Sequence, residues 1–103
     1  MAGYKVIVSE RADMMMVRHA RFLAKVSKNA ALRLADEFES VVNELEENPY
    51  QFPVETDENL PGGMYRKALF CKWYKAIFTI EGQNVYLDAV LDCRQDNQGY
   101  LPL

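Results

Sequence analysis

Residues 65–80 read YRKALFCKWYKAIFTI, and this stretch decides the fold. Aromatic and β-branched residues dominate it, which is strand chemistry, and the stretch divides into strands over 64–70 and 73–80. It also carries Arg66, Lys67, Lys72 and Lys75 with no acid among them, although the formal net charge of the chain is −3. Cations on strands commonly solvate a face or guard an edge. The other reading is a surface built to hold phosphate.

Working outward, residues 85–92 (VYLDAVLD) form a further strand, joined to the previous one by the hairpin turn EGQN. Val85, Leu87, Ala89 and Leu91 alternate onto one face, and Tyr86, Asp88 and Asp92 onto the other, with Val90 among them. At the other end of the chain, residues 4–8 (YKVIV) form a first strand. Ser9 then caps a helix with Glu10 and Asp13 in its first turn, where the dipole favours acids. Its stripe is Ala12, Met15, Met16, His19, Phe22, Leu23 and Val26. Ser27 caps a second helix with Ala31, Leu34, Phe38, Val41, Val42 and Leu45 on one side, and Asn48-Pro49 stops it.

Two amphipathic helices so briefly joined form an antiparallel hairpin that needs a common surface to cover. Residues 49–63 (PYQFPVETDENLPGG) contain three prolines and two glycines and read as a loop. The expected fold is therefore α+β, in the order β-α-α-β-β-β, as one domain over residues 1–103. The helical hairpin packs on one face of a small, mainly antiparallel sheet and leaves the other face open.

The chain's 103 residues suffice for one compact domain, and its hydrophobic half excludes a disordered chain. Cys71 and Cys93 match no metal-ligand spacing and suit reduced thiols. No segment has the pattern of a signal peptide or the length of a membrane span, so a cytoplasmic location is expected. Nine acids and no Lys or Arg lie between Asp36 and Glu58. The sequence pI near 5.1 argues against tight, unaided binding to nucleic acid, although a local positive surface can exist under an acidic whole.

In order after a helical hairpin, YRKAL, WYKAIFTI and VYLDAVLDCRQ resemble the RelE/ParE superfamily of toxins from bacterial type II toxin–antitoxin modules, the plasmid stabilisation proteins among them. The resemblance runs from Tyr4 to about Asn97. Its marks are Tyr65-Arg66 opening the second strand, Tyr74 to Phe78 in the third, and Arg94 closing the last. It implies a growth-inhibiting protein neutralised by a cognate antitoxin. One branch of the superfamily cleaves mRNA in the ribosomal decoding site without a metal or cofactor. Another poisons DNA gyrase and is not an enzyme. Similarity to the nuclease pattern implies catalytic roles for Arg66, Lys75, Arg94 and Tyr100, whereas Ala68 stands where that pattern has a second basic residue. The leading expectation is a ribosome-associated endoribonuclease. A gyrase inhibitor and a catalytically weakened binding protein are the alternatives.

Cleavage through the 2′-hydroxyl needs a base, cations around the phosphate and a proton donor. A tyrosine with its ordinary pKa of about 10 is a poor base, and clustered cations would lower that value. Arg94, which resists deprotonation, suits charge stabilisation. Each residue also has an ordinary reading. Arg66 and Lys75 can be solvated strand residues, and Tyr100 a packing residue. Arg94 can pair with Asp92 or Asp96, acids that with Asp88 would repel phosphate. Period-two alternation sets Arg94 on the mixed face beside Arg66 and Lys75. His19 reads as structural, Met14-Met15-Met16 as core and partner surface, and Glu46 and Glu47 as solvated acids.

Overall fold

The computed structural model describes residues 3–94. Its elements are β1 (Lys5–Val8), α1 (Glu10–Ala24), α2 (Lys28–Glu47), a 3-10 turn (Pro49–Gln51), β2 (Arg66–Phe70), β3 (Tyr74–Glu81) and β4 (Asn84–Asp92). The strands form one sheet in the order β1-β4-β3-β2, antiparallel except for the β1–β4 pair. This is the expected α+β arrangement.

Local chemistry explains the elements. The Ser9 side chain accepts from the Ala12 N–H at 3.0 Å, and Ser27 does the same for Ala30 at 3.2 Å, so each helix starts at a satisfied cap. Gly82 takes a positive φ of 61°, as the tight turn between β3 and β4 requires. The helices bury Ala12, Leu34, Val41 and Leu45 against Phe70, Tyr74, Phe78, Leu87 and their neighbours. One part of the expected stripe is corrected: Phe22 is 57% exposed and Val26 81%. At 100° per residue Leu23 takes the inward position and turns Phe22 away, and Val26 lies beyond the last turn.

The alternation expected in the last strand also fails, and the cause is a bulge. Ile77 pairs with Ala89 and Phe78 with Leu87, which leaves Asp88 as the extra residue. Val85 and Leu87 face the helices before the bulge and Val90 faces them after it, while Ala89 and Leu91 pack on the far side. The bulge lies where β1 runs out, since β1 pairs with β4 only as far as Leu87. Beyond that point α1 supplies the missing donors. Ser9 donates to the Asp88 carbonyl at 3.0 Å, and His19 Nε2 lies 2.7 Å from the Val90 carbonyl, where its N–H donates.

The far face is not open, which corrects a third expectation. Leu60 and Tyr65 from the segment before β2 form a second core with Ile77, Ala89 and Leu91. The hairpin between β2 and β3 is tight in another way: Cys71 and Lys72 take positive φ values of 48° and 68°. Each costs about 1 kcal/mol or more for a residue other than glycine. The Cys71 N–H is anchored 2.8 Å from a Glu37 carboxylate oxygen on α2.

Urea denaturation should separate core from surface along the hairpin. Leu45→Ala, at a fully buried position, is expected to cost about 2–5 kcal/mol. Val26→Ser should change stability by no more than about 0.5 kcal/mol.

Candidate functional site

The register assigns each cation of the sheet to a side. Arg66 pairs with Phe78, so it starts β2 on the side facing the helices. Its Nη1 donates to the Phe52 carbonyl at 2.6 Å, and its guanidinium lies 5.1 Å from the centroid of the Tyr50 ring. Arg66 thereby braces the segment that follows α2.

Lys75, opposite Leu69 and Leu91, and Lys67, opposite Ile77, lie on the far side. Both meet Glu55, whose residue surface is only 4% exposed. Lys75 Nζ donates to Glu55 Oε1, and Lys67 Nζ lies 3.6 Å from Oε2. The N–H groups of Thr56 and Asp57 donate to Oε2 at 2.8 and 3.1 Å. Burial alone would raise the Glu55 pKa. The Lys75 hydrogen bond and the two lysine charges outweigh burial and hold it below the ordinary carboxylate value.

Arg94 follows β4 and is held by its neighbour. Its Nε and Nη2 donate to the two Asp92 oxygens at 3.0 and 2.8 Å, and its own N–H donates to Oδ1 at 2.9 Å. This fork holds the Asp92 carboxyl below its usual range, against the opposing effect of burial. The guanidinium also lies 5.3 Å from the Trp73 ring centroid and 6.0 Å from that of Tyr74. Asp92 pairs across the sheet with Tyr74. The mixed face expected to carry Arg94 beside Lys75 does not form, because the bulge at Asp88 reverses the later alternation. Arg66, Lys75 and Arg94 thus occupy three separate places, each against an internal oxygen. Tyr100 lies outside the described residues, as does Asp96.

Neither Tyr65 nor Tyr74 is prepared as a base. Burial and Asp88 push the Tyr65 hydroxyl up, and that hydroxyl donates to Asp88 Oδ2 at 3.2 Å. Burial and Asp92 raise Tyr74 against the pull of Arg94. Among the described residues, no group of three His, Cys, Asp or Glu side chains could hold a metal ion. Sequence reasoning missed Glu55, Lys67 and the stacked Trp73. The signal for a counter-ion was present, because Lys67 and Lys75 share a face, but nothing singled out Glu55 among the nearby acids.

Among solved structures, the chain is similar to one from the chromosomal ParDE TA system of P. aeruginosa, with a TM-score of 0.69 and 15% sequence identity. The match covers 87% of this chain and 96% of that one. This is the RelE/ParE-like fold. No protein-family model matches the sequence, and neither does any curated protein. The RelE/ParE-like core accounts for the helical hairpin and sheet, and the tethering of each cation is a property of this chain's own side chains. None of its described helices is long and apolar enough to cross a membrane.

The Glu55 cluster predicts an acid-sensitive element of stability. Its folded pKa lies below the ordinary 4.5, so its contribution is complete above that value and is lost as the pH falls through the lower folded value. Glu55→Gln should cost about 1.5–3 kcal/mol at pH 7 and flatten the acid limb of a plot of Tm against pH. A variant whose acid limb matches the wild type would remove Glu55 as its source.

Proposed function

We propose that this chain is the toxin of a type II toxin–antitoxin pair, acting in the cytoplasm and neutralised by a cognate antitoxin. We further propose that it stops growth by binding a protein target rather than by cutting mRNA on the ribosome. The target class that the superfamily offers for such a mode is DNA gyrase. The RelE/ParE-like fold and its likeness to a ParDE structure support the first part. One observation carries the second: Arg66, Lys75 and Arg94 are each tied to a separate internal oxygen, of Phe52, Glu55 and Asp92. Phosphodiester cleavage needs cations converging on one phosphate, already in place when charge develops. Here an RNA strand would have to displace Glu55 and Asp92 first.

Expressed alone, the protein should arrest bacterial growth, and the product of the adjoining gene should relieve the arrest. Full growth at verified soluble expression would overturn the toxin reading. In a ribosome-programmed translation reaction the message should stay intact, while gyrase assays should show trapped DNA breaks. Message cut within the decoding site would instead restore the nuclease reading, with Arg66, Lys75, Arg94 and Tyr100 as its residues.

A further inference from the structure

The exposed stripe of α1 changes sign along its length. Glu10 and Asp13 stand at its start and Arg18, Arg21 and Lys25 toward its end, with Met14, Val17 and Phe22 among them. Met14 and Phe22 are each 57% exposed and Val17 is 44% exposed. No ion pair among the described residues uses any of these charges. Two grooves run along the stripe and share Met14 and Arg18. Exposed apolar side chains set among charges mark an interaction surface.

A helix that is acidic at one end and basic at the other complements a copy of itself turned end for end. A two-fold axis beside Val17 and Arg18 sets Glu10 of each copy opposite Lys25 of the other, because the two lie equally far along the helix from that axis. The same axis brings Asp13 within about one residue of Arg21. Symmetry repeats both pairs, and the antiparallel arrangement also sets the positive end of each helix dipole beside the negative end of the other. A parallel pairing would instead oppose like charges along the whole stripe.

Other occupants answer only part of the stripe. Nucleic acid or an anionic membrane would attract the cations and be repelled by Glu10 and Asp13 on the same surface. The outer face of α2 in a second copy carries Leu32 as its only strongly exposed large apolar group, so Met14, Val17 and Phe22 would lack counterparts there. Such a contact would also leave one α1 and one α2 face free, and would add copies beyond two.

We infer that the chain forms a two-fold symmetric dimer through α1, with a second copy of itself on this face. Val17 meets its counterpart at the axis, Met14 and Phe22 flank it, and the Glu10–Lys25 and Asp13–Arg21 pairs close both ends. Arg18 has no acid opposite; its stem covers apolar surface while its head stays in water. An interface confined to one helix of each copy is small beside the roughly 1,600 Å² of a standard one, so a Kd of about 1–100 μM is expected. The dimer goes beyond the toxin reading and does not rest on it.

Sedimentation equilibrium of the full chain tests the inference. The apparent mass should rise from 11.9 kDa toward twice that value as the concentration passes the Kd. Glu10→Lys with Asp13→Lys sets like charges at both ends of the pair, as does Arg21→Glu with Lys25→Glu. Each double variant should dimerise at least about tenfold more weakly. Mixed in equal amounts, the two variants should form a heterodimer, because every pair is again of opposite sign. That recovery separates pairing across the axis from damage to the fold. If either double variant fails to fold, Val17→Lys replaces the pair of variants, since it sets like charges at the axis, and it should abolish dimerisation. A wild-type chain still monomeric at about 1 mM would overturn the inference. So would variants that dimerise like the wild type, a mixture that stays monomeric, or masses that grow past the dimer. An RNA oligonucleotide or phosphatidylserine vesicles that bind the stripe and leave the chain monomeric would overturn it as well.

Discussion

Glu55 sits almost wholly out of solvent between Lys75 and Lys67, and the segment ahead of β2 is arranged to keep it there. A buried carboxylate without partners would cost several kcal/mol, so its three donors and the Lys67 charge are a condition of the loop's path. That path carries Leu60 and Tyr65 onto Ile77, Ala89 and Leu91 and gives the sheet a second apolar layer. The same contact removes two lysines from the list of groups that could meet an external phosphate. The packing of the far face and the electrostatics of the sheet therefore have one cause.

The bulge at Asp88 is the other organising feature, and it shows why the sequence could be read only so far. Caps at Ser9 and Ser27, the stop at Asn48-Pro49 and the turn at Gly82 are local, so the order of elements was legible from residues alone. A bulge is not local. Asp88 looks like an ordinary outward residue in VYLDAVLD, and its displacement depends on where β1 ends and on which α1 side chains reach the exposed carbonyls. His19 is explained by the same edge: it stands in an apolar stripe because the Val90 carbonyl needs a donor there. Phe22 was misplaced because three- and four-residue spacing admits both Phe22 and Leu23 to one stripe, and only the packed helix chooses between them.

The candidate site divides in the same way. Its positions followed from a resemblance in local motifs, and those motifs do fall on β2, β3 and the end of β4. Their side chains answer to partners distant in sequence or beyond a phase change. Lys75 meets Glu55 from a loop, and Arg66 meets a carbonyl near the end of the 3-10 turn. Asp92 was visible as a neighbour of Arg94. Glu55, by contrast, is one of nine acids between residues 36 and 58, and Asp57 and Glu58 are equally good counter-ions on paper. Burial distinguishes them, and burial is a property of the loop's path.

The positive charge of this acidic chain thus has two kinds of address. On the sheet, Lys67 and Lys75 share Glu55, Arg94 pairs with Asp92, and Arg66 braces the neutral Phe52 carbonyl. On α1, Arg18, Arg21 and Lys25 lie beside apolar groups and project a field that long-range attraction can use. Such a field speeds encounter with an acidic partner, while affinity comes from the apolar contacts that exclude water after docking. The sheet cannot offer that combination while Glu55 and Asp92 stay in place. In this protein the basic strands that dominate the sequence brace the fold from within, through Phe52, Glu55 and Asp92.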